Sequence, residues 1–260
     1  MCAMKVTILG CGSAAGVPAI SSGWGACDPS NPKNRRLRSS ILVEEGATRI
    51  LVDTSPDLRQ QLLAADVRTF DAVIYTHAHA DHIHGLDELR EVNRVTGKPL
   101  AAFGAPETLD FLRSRFGYAF EGIPPGSPSI FRPWLVPATV EPGTSFQIRQ
   151  ITVDPFLQDH GFSTTIGYRF GDVVYSTDVL ELPEASREVV RGAKLWIVGA
   201  YTLQPHPTHA HVSKVLEWIA ELKPERALLT HMSNDIDYET LRAQLPSYVE
   251  PAYDGMTIEV

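Results

Sequence analysis

Residues 76–84 read T-H-A-H-A-D-H-I-H, so four of the chain's nine histidines fall within nine positions. No other stretch restricts the chain as strongly. The H-x-H-x-D-H core concentrates imidazole and carboxylate donors, which suit Zn, Mn or Fe. The run A-V-I-Y-T ahead of it predicts a strand over 72–76. Alternate residues of an extended chain point the same way, so His77 and His79 can grip one ion together. Asp81 and His82 follow on the turn and can point toward a second ion. The plainer alternative is a solvated histidine-rich loop, and the ligand spacing weighs against it.

A two-ion site needs further donors. His160 lies in Q-D-H-G at the end of a predicted strand, Asp178 follows V-V-Y-S-T, and His231 follows A-L-L-T. Each stands at a strand end, where sites on sheet scaffolds collect. Any one of them alone would more often be an ordinary polar residue.

Composition sets the class. The 260 residues suffice for a well-buried core, and 43% hydrophobic with 21% charged residues fits a soluble globular chain. No apolar run approaches the roughly 20 residues needed to span a bilayer. Met1 to Lys5 lacks the charged start and apolar stretch of a signal peptide. Three cysteines, Cys2, Cys11 and Cys27, do not suggest a disulfide framework. Reduced thiols in a cytoplasmic protein are the simpler reading. The net charge of −8 disfavours long nucleic acid, whose binding rests on neutralising many phosphates. A small anion remains open, because bound cations reverse the local field.

The patterning predicts strands over 5–9, 40–44, 49–53, 72–76, 146–153, 164–170, 173–176, 195–199, 226–230 and 256–260. Helices are predicted over 57–65, 86–95, 106–116, 184–191, 212–222 and 239–244. Residues 122–143, rich in Pro and Gly, read as a long loop. Two packed sheets with helices outside accommodate this order. No linker divides the chain, so one domain over 1–260 is expected.

The ligand order H-x-H-x-D-H, His, Asp, His resembles that of the metallo-β-lactamase superfamily. The blocks G-C-G-S-A-A-G-V-P (10–18), N-R-R-L-R-S-S (34–40), D-T-S-P-D-L-R (53–59), D-H-I-H-G-L-D-E-L-R (81–90) and T-H-M-S-N-D (230–235) resemble the PhnP-like phosphodiesterases. The resemblance implies a mixed α/β fold, a four-layer αββα sandwich with the site at one edge of two sheets. It implies that His77, His79 and His160 hold one metal, that Asp81, His82 and His231 hold the other, and that Asp178 bridges them. The implied cofactors are two divalent ions, Zn or Mn. Many members carry a further structural zinc, built from closely spaced cysteines and a histidine three residues past the last ligand. Here only Cys27 is present and Asn234 stands at the histidine position, so no structural zinc is expected.

Asp53, in the D-T-S block, resembles the family carboxylate that accepts a hydrogen bond from a metal-bound histidine and orients its ring. A helix-cap or turn role is the plainer alternative. His209, in P-T-H, matches the family histidine that contacts phosphate and protonates the leaving group; His206 and His211 are near competitors. An imidazole beside a metal can act as a general acid near neutral pH. Asp81 and His209 are the residues assigned to the catalytic step. His84 reads as a packed or supporting histidine. Arg35, Arg36 and Arg38 could meet phosphate or hold loops. The glycines at 10, 12 and 16 have the wrong spacing for a dinucleotide fingerprint.

The expected function is hydrolysis of a small phosphodiester, a cyclic ribose phosphate or nucleotide-like compound, by a hydroxide shared between two metals. The expected partner is a small phosphorylated substrate, with no long nucleic acid and no membrane; a homodimer is compatible. One rival is a ribonuclease Z-like tRNA 3′-processing nuclease, whose branch carries a protruding arm between the third and fourth ligand motifs. Only 17 residues separate His160 from Asp178 (178 − 160 − 1), too few for an arm. Another rival is thioester or lactone hydrolysis on the same fold.

Overall fold

The computed structural model describes residues 3–260. The N-terminal reading of Met1 and Cys2 lies outside the described residues. The first half contributes β1 (Met4–Gly10), β2 (Ser40–Glu45), β3 (Thr48–Val52), α1 (Leu58–Ala64), β4 (Ala72–Ile74), α2 (Ala80–Ile83), α3 (Leu89–Thr96), β5 (Leu100–Gly104), α4 (Pro106–Arg115) and β6 (Leu135–Thr139). The second contributes β7 (Phe146–Ile148), β8 (Ile151–Asp159), β9 (Thr164–Phe170), β10 (Val173–Ser176), α5 (Glu184–Val190), β11 (Leu195–Gly199), α6 (Val212–Leu222), β12 (Arg226–Thr230), α7 (Tyr238–Arg242), β13 (Val249–Pro251) and β14 (Thr257–Glu259).

These strands form two seven-stranded sheets, β14-β1-β2-β3-β4-β5-β6 and β13-β12-β11-β10-β9-β8-β7. In each, an antiparallel stretch gives way to a parallel one. β3 to β6 run parallel in the first sheet and β10 to β13 in the second. Parallel strands are covered on both faces, which is why Ile50-Leu51-Val52 in β3 and Leu195-Trp196-Ile197-Val198 in β11 read as continuous apolar runs.

The alternation along the first sheet divides its side chains cleanly. Val6, Ile8, Ile41, Val43, Ile50, Val52 and Ile74 face the second sheet, in one core with Ile151, Val153, Phe156 and Tyr168. Leu42, Leu51, Val73 and Tyr75 face outward, onto Leu58 and Leu62 of α1, Leu89 and Val92 of α3 and Leu109 and Leu112 of α4. Val212, Val215, Trp218, Ile219 and Leu222 of α6 extend the core on the second sheet. The architecture is the αββα sandwich.

Four departures from the sequence reading have physical causes. β6 lies inside the expected loop. It is an edge strand, and an edge tolerates its Pro137. β5, L-A-A-F-G, has little β-propensity and is a strand because β4 and β6 pair with it on either side. The single strand expected over 146–153 is the hairpin β7–β8, with Ile148 opposite Ile151 and Arg149 at φ +52°. Apolar residues at 146, 148, 151 and 153 shift phase by one position there, which marked the reversal. β13 is three residues long, ends in Pro251 and borders the second sheet. No helix of the described residues is long and apolar enough to cross a membrane.

Candidate metal centre

Five chain segments leave strand ends at one edge of the sandwich and turn toward each other. Asp53 follows β3, His77 and His79 follow β4, His160 follows β8, Asp178 follows β10 and His231 follows β12. Asp81 and His82 sit on α2, a single helical turn. The carboxyl ends of strands are where sites form in sheets of this kind.

Asp53, Asp178 and His231 all have positive φ, at +64°, +50° and +56°, making up three of the six such non-glycine residues described. Asp and His enter the left-handed region more readily than bulky residues, yet at a cost in energy. Here each bends its strand end so that the side chain turns into the site.

Two separate groups of donors result, one from His77, His79 and His160, the other from Asp81, His82, Asp178 and His231, and a third that overlaps both joins His160, Asp178 and His209; within each the atoms lie within 4.8 Å of one another. Nε2 of His77 and Nδ1 of His79 are 2.9 Å apart. Asp178 lies between the groups. Its Oδ2 is 3.1 Å from His82 Nε2, and its Oδ1 is 3.3 Å from His231 Nε2 and 3.9 Å from His160 Nε2.

Four of the imidazoles are anchored at Nδ1. His82 Nδ1 donates to Asp53 Oδ2 at 2.7 Å. His160 Nδ1 donates to the carbonyl of Thr208 at 2.7 Å. His231 Nδ1 donates to Ser39 Oγ at 3.1 Å, whose own hydroxyl donates to the Gly12 carbonyl at 3.0 Å. His77 Nδ1 donates to Thr76 Oγ1 at 3.0 Å, and that hydroxyl donates to Asp53 at 2.8 Å. Each arrangement turns Nε2 toward the centre, and with a metal ion there it selects the tautomer whose Nε2 lone pair is the ligand, the usual mounting of a metal-binding histidine.

The buried charge points the same way. Burial opposes ionisation of Asp81, and the adjacent His82 outweighs it, holding the carboxyl below its usual range. Burial likewise opposes ionisation of Asp178, and His231 and His82 outweigh it. For His82, burial works against the charge, yet Asp81, Asp178 and Asp53 hold the imidazole well above its ordinary value. Burial keeps His77 neutral, far below its usual range, and lowers His231 to about 4. His82 Nε2 and Asp81 Oδ2 have no hydrogen-bond partner among the described residues. Two buried carboxylates and four imidazoles converging on one region are expensive unless positive charge joins them, whether the proton of His82 or a bound metal ion. The donor set therefore fits divalent cations, and imidazole with carboxylate suits Zn or Mn.

His209 borders this centre. Its Nε2 is 3.1 Å from Asp178 Oδ1, Thr208 Oγ1 lies 2.8 Å from its Nδ1, and its ring stacks on His231 at 5.2 Å. His206 stands behind it, Nδ1 to Nδ1 at 3.4 Å, and His211 is the N-cap of α6. Of the three, only His209 lines the cavity of about 370 Å³ over the centre, with Ala14, Phe162, Ser163, Tyr201 and Thr208 beside the ligand candidates. A larger cavity, between α1 and α3, holds none of this chemistry.

The remaining sequence candidates lie elsewhere. His84 is exposed against Phe116, neither packed nor supporting a ligand. Arg36 is buried and donates to the carbonyls of Ser233 (3.0 Å) and Ile236 (2.7 Å). Arg38 forks onto Asp57 at 2.9 and 3.1 Å, and Arg35 lies over the Trp24 ring. All three serve loops. Cys27 Sγ donates to the Ile236 carbonyl at 3.2 Å, with the Arg36 guanidinium 3.9 Å away. Ser39 and Thr208 were missed as supports. Ser39 stood in a quoted block without a role, and Thr208 acts through its backbone carbonyl, which no side-chain pattern reveals.

The chain is similar to several known proteins. Over 257 residues the chain is 31% identical to an octanoyltransferase of Porphyromonas gingivalis, covering 97% of this chain and 51% of that protein. It is 31% identical over 146 residues to ribonuclease Z of a Bradyrhizobium strain, covering 54% of this chain and 46% of the other. The chain thus spans about half the length of these curated relatives. The crystal structure of a diphosphatase from the PhnP family superposes with a TM-score of 0.91 at 32% identity, covering 99% of this chain and 97% of that one. A family model described as a beta-lactamase superfamily domain matches residues 48–232, a span that includes every ligand candidate, and the chain belongs to the metallo-β-lactamase superfamily.

Proposed function

We propose that the chain is a metal-dependent hydrolase of small phosphodiesters. The observation that carries this reading is Asp178. One oxygen faces His82, while the other faces His231 and His160 and lies 3.1 Å from His209 Nε2. A single carboxylate thereby links both donor groups to a histidine able to exchange a proton.

His77, His79 and His160 would hold one divalent ion, Asp81, His82 and His231 the other, with Asp178 shared between them. Two such ions supply Lewis acidity and lower the pKa of water. The protein's part is positioning. Asp53, Ser39 and the Thr208 carbonyl lock the imidazoles, and the cavity admits a small substrate to one side of the ligands. His209, partly exposed at 16%, stands where it can touch a phosphate oxygen or give its proton to the departing alcohol. The PhnP-family diphosphatase supports phosphate chemistry in this fold.

A tRNA-processing role is less well supported. Residues between His160 and Asp178 are spent on the hairpin β9–β10, which leaves no arm, and the net charge is −8. Hydrolysis of a thioester or lactone is the second reading; the Porphyromonas relative, of whose length the chain covers 51%, is an octanoyltransferase, which acts on acyl groups.

The test is turnover of bis(p-nitrophenyl) phosphate with Mn or Zn added. Metal-dependent turnover is expected, abolished in His77→Ala and Asp81→Ala. It should be slowed about 100-fold or more in His209→Ala with metal content intact. No turnover with both ions bound, alongside cleavage of a thioester, would replace the phosphate reading by the acyl one.

A further inference from the structure

We infer that Phe162 is a specificity-determining residue, a stacking platform for a planar ring carried by the phosphate substrate. The inference rests on the phosphate reading above and names the class of substrate, a nucleotide in place of a bare sugar phosphate.

Phe162 is 90% exposed. Among the described residues it is the one strongly exposed large apolar side chain that lines the cavity over the metal centre. The rest of the lining is chiefly histidine, aspartate and hydroxyl groups, together with Ala14 and Tyr201. Tyr201 is already engaged, stacked on His209 at 4.6 Å and edge-on to His206 at 4.8 Å. A phosphate and its metals have no use for a free phenyl ring at their mouth; a base with a π-face does.

The ring is held out on a stiff turn. The amide of His160 donates to the Ser163 carbonyl at 2.9 Å, and the amide of Phe162 to the His160 carbonyl at 3.1 Å. The amide of Gly161 donates to Asp159 Oδ1 at 2.7 Å. Gly161 has φ +80°, and a Cβ there would sit 2.6 Å from the Pro207 carbonyl oxygen, so only glycine closes this turn. The same turn carries His160, whose Nδ1 is tied to Thr208. Phe162 is thus fixed relative to a ligand candidate by two residues of chain. With the backbone held, stacking needs to fix only the two side-chain torsions of Phe162, a small entropy cost.

The experiment is calorimetric binding to the Mn-loaded protein of AMP and of ribose 5-phosphate, which share the phosphorylated ribose and carry adenine or a hydroxyl at C1. Wild type is expected to bind AMP the more tightly. Phe162→Ala should weaken AMP about tenfold, change ribose 5-phosphate less than about twofold, and leave the Mn content intact. Phe162→Tyr should retain the preference. Equal weakening of both ligands, or of neither, overturns the stacking role while the phosphate reading stands. Failure of wild type to bind either phosphate overturns the phosphate reading and this inference with it.

Discussion

The Nδ1 of His82 lies 2.7 Å from Oδ2 of Asp53, and both side chains are fully buried. Asp53 also accepts hydrogen bonds from the amide and hydroxyl of Thr76, both at 2.8 Å, and that hydroxyl holds His77. One carboxylate therefore aims an imidazole in each donor group. Asp53→Asn removes the charge that favours donation from both rings. The expected outcome is retained ion stoichiometry with affinity lower by about 10–100-fold, measured by chelator competition. Unchanged affinity would reduce Asp53 to a turn residue.

Without metal ions, the centre holds the Asp81 and Asp178 carboxylates beside one strongly favoured positive charge, that of His82. Ions that bind the fold and not the unfolded chain stabilise it by about 2.7 kcal/mol per site at 100 times Kd. Thermal unfolding in Mn should therefore have a midpoint at least about 5 °C above that in EDTA. Asp178→Ala should abolish most of this difference. Identical midpoints in Mn and EDTA would mean that the donor groups hold no ion.

Much of this centre was legible because its residues have few other uses in such a pattern. The window from His77 to His82 stands out by spacing, and His160, Asp178 and His231 could be picked out by their place after apolar strands. The way they converge was not legible. It depends on positive φ at Asp53, Asp178 and His231, which tertiary packing imposes and local sequence does not announce. The two-sheet fold was visible in the apolar runs. β5 and β6 were not, since alanine and Pro137 mask strands that are fixed by their neighbours in the sheet. The role of Arg36 was hidden for the same reason, as its partners lie about 200 residues away.

Arg36 carries that long-range contact. It is 1% exposed and ties the loop after the glycine-rich segment to the chain beyond His231, through Ser233 and Ile236. Replacing it by methionine leaves these carbonyls and the Asn34 side chain short of a donor. A loss of about 3 kcal/mol in unfolding free energy is expected. His231 has its own anchor at Ser39, and the Met232 amide donates to the Cys11 carbonyl at 2.9 Å, so the folded variant should keep its metal. Denaturant unfolding with metal analysis of the folded fraction tests both halves. A variant as stable as wild type would contradict the first, and a metal-free folded variant the second.

Asp254 gives the fold a pH dependence of its own. Its carboxylate accepts from the amides of Leu37 at 2.6 Å and Cys11 at 3.1 Å, beneath the glycine-rich loop. Burial outweighs those hydrogen bonds and the Arg36 charge and raises its pKa from 3.8 to about 7. Between these two values the folded protein holds a proton that the unfolded chain has lost. The contribution of this group to stability is therefore fully present below about pH 4 and declines as pH rises toward 7. Asp254→Asn cannot titrate and escapes the decline. With metal saturating throughout, the stability of wild type minus that of Asp254→Asn should fall by about 3 kcal/mol between pH 4.5 and 8. Denaturant unfolding of both proteins across that range measures the difference directly. Parallel curves would show that the carboxylate ionises in the fold as it does in water, with its amide partners and Arg36 offsetting the burial in full.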